Sequence, residues 1–362
     1  RGVVSAGGNA VLAGVLPTPA VALLALDLGA VISASHNPPE YNGVKLFDAD
    51  GSKLSDAAEE EIEALLDEPA RGGGQVDRIE VADDSYLEHV VERFGSDLSG
   101  LRIAVDCANG AYSQIAPGAF ERLGAEVTAV AASPDGTNIN LGCGATDLTL
   151  LSTVVREQRA DLGVAFDGDG DRMLAVDERG EVVDGDQILA IIALQLEVEL
   201  VVVTVMTNLG FHRLMEERGI RVVTTPVGDR YVLEALRREG GILGGEQSGH
   251  LICLRDHVTG DGLAAALLLC SALGGRKLSE AAKVMPRYAQ AKENIRVGRV
   301  PVPENALAEA ERLNAALEGR ARVLVRASGT EPLIRVLGEA ETAEEAEALC
   351  GTIAALVRRE LG

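Results

Sequence analysis

The segment "ADLGVAFDGDGDR", residues 160–172, joins an apolar run to a cluster of acidic residues. The apolar residues predict a buried β-strand that ends at Phe166. Asp167, Asp169 and Asp171 follow at every second position, separated by glycines that permit a tight backbone. Carboxylates at this spacing can converge on one hard cation, and oxygen ligands suit Mg²⁺. An acidic surface turn is the alternative, and we favour the metal site.

The same alternation of strand and helix continues along the chain. Apolar runs of strand length are followed by stretches with helical periodicity, which is typical of α/β proteins. We predict strands over 101–107, 160–166, 200–206, 220–226 and 321–328, and helices over 209–219, 229–241 and 342–362.

Changes in composition divide the chain into four segments. A Gly-rich, charged stretch over 68–84 indicates a linker, and the pattern changes again near 188 and over 285–293. We predict four domains, 1–84, 85–188, 189–287 and 288–362. The first three are expected to be similar α/β domains with mixed sheets, and the last a smaller α+β domain.

The charge balance limits the classes of partner. Fifty-six acidic residues against 33 basic residues give a net charge of −23, which disfavours binding to nucleic acid and to anionic membranes. The five cysteines are widely spaced and form no CxxC pair, so reduced thiols are expected. With no recognisable signal peptide and no apolar run of ~20 residues, we expect a cytoplasmic protein without a membrane span.

A second candidate for chemistry is "GAVISASHNPPEYNGVKLF", residues 29–47. Its apolar run ends at Ser35 and His36, and Lys45 follows ten residues after the serine. Ser35 could be a nucleophile or phosphoryl carrier, with His36 and Lys45 as charge or proton partners. A turn in which the serine satisfies backbone donors is the alternative. The predicted cation site favours the carrier, because phosphoryl transfer needs a divalent cation.

The stretch "RASGTEP", residues 326–332, indicates a phosphate-binding loop. Two hydroxyl side chains, a glycine backbone and the guanidinium groups of Arg326 and Arg335 suit phosphate oxygens. A hairpin turn is compatible with the same residues.

The stretches "GGEQSGH", residues 244–250, and "PVGDRYV", residues 226–232, remain open. Glu246, Ser248 and His250 offer donors and acceptors to sugar hydroxyls, but a polar turn is equally consistent with them. Asp229 could also cap a helix.

Four of these motifs, "SASHNP", "DGDGDR", "GGEQSGH" and "RASGTEP", occur in this order in the α-D-phosphohexomutase superfamily, which the chain resembles over nearly its whole length. The resemblance implies a four-domain protein with its active site in a central cleft. It implies that Ser35 carries a phosphate which, with Asp167, Asp169 and Asp171, binds one Mg²⁺ per chain. It implies catalytic roles for Ser35, His36, Lys45 and Arg172, and substrate contacts from Gly228, Asp229, Arg230, Glu246, Ser248, His250, Arg326, Ser328, Gly329, Thr330 and Arg335.

Within the superfamily, Gln247 points to the branch that acts on glucosamine phosphates, since the phosphomannomutase/phosphoglucomutase members commonly carry Met there. The resemblance then implies interconversion of glucosamine 6-phosphate and glucosamine 1-phosphate through a bisphosphate, with Ser35 phosphorylated beforehand by a sugar bisphosphate or an equivalent donor. The partner is a small phosphosugar, and the resemblance leaves room for a homodimer. The alternatives are a mutase for mannose or glucose phosphates, a Mg²⁺-dependent phosphatase, and a non-catalytic sugar-phosphate-binding protein.

The sequence departs from the superfamily at three places. Members carry a Gly-Thr-x-Gly-x-Arg-Gly motif before the serine loop, of which only Arg1-Gly2 could remain. The stretch 22–30 lacks a full connecting helix, and 191–203 is expected to run from helix to strand without a turn. We therefore expect segments to be missing, with an incomplete first domain.

Overall fold

The computed structural model describes residues 1–65, 72–79, 82–297, 300–328 and 331–361. Two compact units are present. Unit 1 comprises Arg1–Met206 and Gly219–Val284, and unit 2 comprises Thr207–Arg218 and Met285–Gly362.

Unit 1 begins with a region of short elements. In chain order these are α1 (Gly2–Ser5), β1 (Ala10–Leu12), α2 (Thr18–Leu23), β2 (Leu28–Ser33), β3 (Gly43–Asp48), α3 (Asp56–Ala64) and β4 (Val76–Arg78). Strands β2 and β3 form an antiparallel pair, and β1 and β4 form a separate parallel pair. The antiparallel pair is the part that matters for the site, because it sets Lys45 on β3 close to the loop that follows β2.

The second region is a five-stranded mixed sheet. Its elements are α4 (Ala82–Phe94), β5 (Arg102–Asp106), α5 (Ala116–Arg122), β6 (Glu126–Val130), α6 (Thr149–Gln158), β7 (Leu162–Phe166), β8 (Met173–Asp177) and β9 (Val182–Val183). The strand order is β6-β5-β7-β8-β9, with β5, β6 and β7 parallel and the last two strands antiparallel. Every residue of β7 is buried, as expected for a central strand.

The third region is a four-stranded mixed sheet with strand order β11-β10-β12-β13. Its elements are α7 (Gly185–Gln195), β10 (Leu200–Thr204), α8 (Leu209–Glu217), β11 (Arg221–Thr225), α9 (Asp229–Glu239), β12 (Leu243–Gly245), β13 (Leu251–Cys253), α10 (Gly262–Leu273) and α11 (Leu278–Ala281). Helix α8 lies in unit 2. Helix α7 begins at a capping box, in which Asp184 and Gln187 satisfy each other's backbone amides.

Unit 2 contains a three-stranded antiparallel sheet with helices packed on it. After α8 it consists of β14 (Ala289–Arg296), α12 (Glu304–Leu317), β15 (Arg322–Ala327), β16 (Leu333–Ala340) and α13 (Ala343–Leu361). The strand order is β14-β16-β15. Ile334 on the central strand and Ile353 and Val357 on α13 are completely buried in its core.

The predicted fold class is confirmed, and each predicted strand and helix is found within a few residues of its predicted bounds. One expectation is wrong. Residues 191–203 do contain a turn, because α7 ends at Gln195 and Glu197 takes a left-handed conformation (φ 51°) before β10 begins. Among the described residues, no helix combines the length and apolar character needed to cross a membrane. The division into four domains stays a prediction.

Candidate active site

The serine loop follows β2, and its geometry sets Ser35 apart from its neighbours. Ser35 has a left-handed backbone (φ 54°), which a residue with a side chain adopts only where its surroundings enforce it. Its amide donates to Ser33 Oγ at 2.9 Å. Asn140 is more than 100 residues away in sequence, yet its Nδ2 donates to Ser35 O at 2.7 Å and to Asn37 O at 3.0 Å. The loop is therefore fixed from outside as well as from within.

The Ser35 hydroxyl is surrounded by charged and titratable groups. Lys45 Nζ donates to Ser35 Oγ at 3.3 Å, and Ser35 Oγ lies 3.5 Å from both Asp167 Oδ2 and His36 Nδ1. Burial, followed by the charge of Arg172, lowers the pKa of His36. The neutral imidazole is thus favoured beside the hydroxyl.

The three aspartates meet as the sequence predicts. Asp167, Asp169 and Asp171 are buried, and one oxygen from each lies within 4.8 Å of the others. Lys45 Nζ bridges Asp169 Oδ2 at 2.5 Å and Asp171 Oδ2 at 2.7 Å. The Thr18 hydroxyl donates to Asp169 Oδ2 at 2.6 Å.

The electrostatics of this cluster fit a cation. Burial, and then the charges of Asp171 and Asp169, raise the pKa of Asp167 well above its usual range. Burial would lower the pKa of Lys45, but the carboxylates of Asp171 and Asp169 outweigh it and raise that pKa. Within the described part of the chain, Asp169 Oδ1 and Asp171 Oδ1 are buried without a hydrogen-bond partner. Carboxylate oxygens that converge here without a hydrogen-bond donor suit a Mg²⁺ site, so the residues fit the ion.

Arg172 lies at the end of the aspartate loop, beside the triad. Its backbone amide donates to Asp167 Oδ1 at 3.1 Å, and its Nε lies 3.9 Å from Asp171 Oδ1. A quarter of the side chain is exposed, whereas Nε is buried without a hydrogen-bond partner among the described residues.

The loop after β12 lies against the aspartate loop. Met173 N donates to Gly249 O at 2.9 Å, and Gly249 has a left-handed backbone (φ 91°) where a Cβ would come 2.4 Å from Met173 O. Glu246 is buried and accepts from the amide of Gly228 at 3.0 Å. Ser248 is exposed at the tip of the loop. Glu246 thereby holds the predicted 226–232 stretch beside its own loop.

His250 occupies an enclosed position. Its Nδ1 lies 3.6 Å from Asp171 Oδ1, its Nε2 lies 3.3 Å from Asp229 Oδ2, and its side chain is 4% exposed. Asp229 also forms an ion pair with Lys53. The alternative that Asp229 caps α9 is wrong, because Gly228 occupies the N-cap and Asp229 is the first residue of the helix. Arg230 follows on the same turn and contacts Glu234 at 2.9 Å.

The predicted phosphate loop lies in unit 2, between β15 and β16. Arg326 and Arg335 are directly opposite each other in the antiparallel register. Like charges at such positions repel, and Nε of each is buried without a hydrogen-bond partner among the described residues. Ser328 Oγ accepts from Glu331 N at 3.3 Å. Gly329 and Thr330 lie outside the described residues.

Comparisons with known proteins agree with this arrangement. Models of the phosphoglucomutase/phosphomannomutase family match alpha/beta/alpha domain I at residues 1–71, domain II at 84–180, domain III at 184–288 and the C-terminal domain at 279–356. A phosphoglucosamine mutase of Pelotomaculum thermopropionicum is 50% identical over 99% of this chain and 85% of its own length. The chain belongs to the phosphoglucomutase/phosphomannomutase family. The family predicted from the sequence is thereby confirmed.

Further relatives extend the comparison. A phosphoglucosamine mutase of Geobacillus kaustophilus is 46% identical over the whole chain and 86% of its own length. A phosphoglucomutase/phosphomannomutase family protein of Burkholderia thailandensis has the same fold, with a TM-score of 0.81, 24% identity, and coverage of 99% of this chain and 84% of its own. An Aspergillus fumigatus N-acetylphosphoglucosamine mutase, solved with GlcNAc-6P and magnesium, has a TM-score of 0.75 at 20% identity, covering 96% of this chain and 91% of its own.

Two residues of the site escaped the sequence analysis. Asn140 and Thr18 lie outside every quoted motif, yet the first holds the serine loop and the second binds Asp169. Asn140 stands in a loop without a recognisable motif, and Thr18 begins a short helix next to two prolines. Neither residue therefore carries a local sequence signal for its role.

Proposed function

We propose that this protein is a phosphoglucosamine mutase that interconverts glucosamine 6-phosphate and glucosamine 1-phosphate, with Ser35 as the phosphoryl carrier. The observation that carries the proposal is the position of Ser35 Oγ. It lies within 3.5 Å of Lys45, His36 and Asp167, at the edge of a buried carboxylate triad. A structural turn needs none of these neighbours. The names of relatives at 45–50% identity support the amino sugar as substrate.

The metal would be held by Asp167, Asp169 and Asp171 together with the phosphate on Ser35. When bound, a divalent cation neutralises charge on the transferring phosphoryl group. We propose Mg²⁺, one per chain, since the donors are all oxygen.

The reaction has two transfers. In the first, the O1 hydroxyl of glucosamine 6-phosphate attacks the phosphoserine, the bond between phosphorus and Ser35 Oγ breaks, and the hydroxyl proton passes to a base. The product is glucosamine 1,6-bisphosphate. After the sugar reorients, Ser35 Oγ attacks the phosphoryl on O6 and gives its proton to a base. The bond between phosphorus and O6 breaks, O6 takes up a proton, and glucosamine 1-phosphate leaves with the carrier restored.

The chain's own groups suit both transfers. Lys45 donates to Ser35 Oγ and can stabilise that oxygen when it leaves. His36, whose neutral imidazole is favoured by its lowered pKa, is placed to accept a proton near the same oxygen. Arg172 can meet the charge on the transferring group. Catalysis is then mainly positioning and electrostatics, as is general for phosphoryl transfer.

Sugar and phosphate recognition are assigned to the remaining loops. We propose that Glu246, Ser248 and His250, with Gly228, Asp229 and Arg230, form the sugar-binding side. His250 is enclosed between two carboxylates, so its contribution is to hold them, and Glu246 and Ser248 are left to meet hydroxyls. Arg326, Ser328 and Arg335 are proposed to hold the phosphate that is not reacting. Gly329 and Thr330 belong to the same proposed loop.

We further propose a cytoplasmic protein that needs priming at Ser35 by a sugar bisphosphate or an equivalent donor. All five cysteines are free and buried, which suits a reducing compartment. A homodimer stays a prediction.

A competition assay tests the function. Glucosamine 6-phosphate and mannose 6-phosphate are offered together with Mg²⁺ after priming, and products are followed by ³¹P NMR for the natural chain and Ser35→Ala. We expect the 1-phosphate chiefly from the amino sugar, and none from Ser35→Ala. Preference for mannose would indicate a phosphomannomutase, release of inorganic phosphate would indicate a phosphatase, and no product from either sugar would indicate a binding protein.

A further inference from the structure

A buried polar network that the proposed chemistry does not use lies behind the aspartate loop. Asp261 accepts hydrogen bonds from the hydroxyls of Tyr86 at 2.7 Å and Tyr112 at 2.9 Å, and the two hydroxyls lie 2.7 Å apart. His257 Nε2 lies 3.0 Å from Asp261 Oδ2. Tyr86 and Tyr112 are completely buried, and the side chains of His257 and Asp261 are 1% exposed. These four residues are called the Asp261 network.

The Asp261 network contains more polar groups than are needed to cap helix α10. Asp261 is the N-cap of α10 and accepts from the amide of Ala264 at 2.9 Å, which uses one carboxylate oxygen. Burying a carboxylate and two phenol hydroxyls is unfavourable unless each finds partners. The additional polar groups therefore call for a role beyond capping.

The network is connected directly to the aspartate loop. Gly262, the next residue after Asp261, donates its amide to Gly170 O at 3.0 Å. The Tyr112 ring lies on Gly170, where a Cβ would come 2.5 Å from Tyr112 Cε2. Gly170 also has a left-handed backbone (φ 78°). The same ring contacts Phe166, with centroids 4.6 Å apart, and Phe166 immediately precedes Asp167.

Three successive carbonyls of the loop are held by three separate segments. Gly168 O accepts from Ala111 N at 2.9 Å, Asp169 O from Thr18 N at 2.7 Å, and Gly170 O from Gly262 N at 3.0 Å. Ala111 and Gly262 adjoin Tyr112 and Asp261, so two of the three anchors belong to segments that the network fixes. The hydroxyl of Tyr112 joins these segments, because it donates to Asp261 and accepts from Leu263 N at 3.3 Å.

We infer that the Asp261 network is a positioning device for the metal site: it fixes the backbone of residues 167–172 so that the three carboxylates converge before a cation arrives. Tyr112 and Asp261 are positioning residues, since neither touches the triad's carboxylates or Ser35. The connection to a metal rests on the proposed function, whereas the connection to the loop backbone does not. Groups that orient metal ligands from outside commonly change metal affinity by about 10- to 100-fold when they are removed.

Tyr112→Phe is the variant of choice, because it keeps the ring against Gly170 and removes only the hydroxyl. Tyr288→Phe is the matched control, since Tyr288 is also a buried tyrosine with a hydrogen-bonded hydroxyl, but it lies in unit 2. Hydrogen exchange of the peptide covering 162–173 is measured by mass spectrometry in the metal-free chain. We expect about 10-fold faster exchange in Tyr112→Phe than in the natural chain, and no change in Tyr288→Phe.

Mn²⁺ binding to the same proteins gives the second readout. We expect the Mn²⁺ dissociation constant to rise about 10-fold in Tyr112→Phe and to stay unchanged in Tyr288→Phe. If Tyr112→Phe does not fold, Tyr86→Phe removes another hydroxyl from Asp261 and is expected to shift both readouts in the same direction. Unchanged loop exchange, or faster exchange with unchanged Mn²⁺ affinity, would overturn the inference. A natural chain that binds no Mn²⁺ would overturn the metal part of the proposed function, and loop exchange would still decide the role of the network.

Discussion

Replacing Lys45 with methionine tests whether the three aspartates form a cation site. The Lys45 ammonium lies 2.5 Å from Asp169 Oδ2 and 2.7 Å from Asp171 Oδ2, so its removal takes the nearest cation away from two buried carboxylates. Breaking a buried ion pair in this way costs ~3–5 kcal/mol. Because the Lys45 side chain is 24% exposed, solvent screening reduces the expected loss to ~2 kcal/mol. For a chain of 362 residues, that lowers the Tm by about 3 °C.

The assay is thermal unfolding of the unphosphorylated chain with and without Mg²⁺. We expect Mg²⁺ to raise the Tm of Lys45→Met more than that of the natural chain, because the cation replaces the missing ammonium. Lys53→Met is the matched control, since Lys53 has a similar exposure, 23%, and is paired with Asp229 instead of the triad. Its Tm should fall without recovery in Mg²⁺. Equal gains in both variants, or no loss of Tm in metal-free Lys45→Met, would refute the cation site.

Three further perturbations follow from the structure. Asn140→Gly removes both hydrogen bonds to the serine loop. Glycine tolerates the left-handed backbone of position 140 (φ 58°), so we expect kcat to fall about 10- to 100-fold with little change in Tm. An unchanged kcat would contradict the role of Asn140. Burial, and then the charge of Arg322, lowers the pKa of His212 to about 4 from 6.5, so the unfolded chain takes up the proton first as the pH falls. The free energy of unfolding should therefore fall by about 3 kcal/mol on account of His212 as the pH drops from 6.5 to about 4. Denaturant unfolding of His212→Gln should lack this contribution to the fall. Arg326→Met should relieve repulsion with Arg335 and add ~0.5 kcal/mol to the free energy of unfolding, while the KM for the phosphosugar rises about 10-fold; a lower stability with an unchanged KM would argue against a phosphate site.

The sequence was most informative where one short stretch contains both a strand and its functional residues. The aspartate loop directly follows β7, so hydrophobic patterning and ligand spacing could be interpreted together. The same holds for Ser35, His36 and Lys45, because β2 and β3 are adjacent in the chain and pair in register, with Val31 opposite Lys45.

Contacts between distant segments could not be predicted in this way. Asn140 reaches Ser35 across 105 positions, and Tyr112 reaches Asp261 across 149. Neither partner stands at a sequence spacing that points to the other. The enclosure of His250 between Asp171 and Asp229 is likewise a product of tertiary packing, since the motif alone was equally consistent with a sugar contact and with a polar turn.

A single-turnover transfer experiment tests whether Ser35 carries the phosphoryl group. The chain is primed so that Ser35 bears an ¹⁸O-labelled phosphoryl, excess donor is removed, and unlabelled glucosamine 6-phosphate is added with Mg²⁺. The first glucosamine 1-phosphate released should carry the label, because the phosphoryl from Ser35 goes to O1 and the one from O6 replaces it on the enzyme. Label that appears as inorganic phosphate, or a first product without label, would contradict the account.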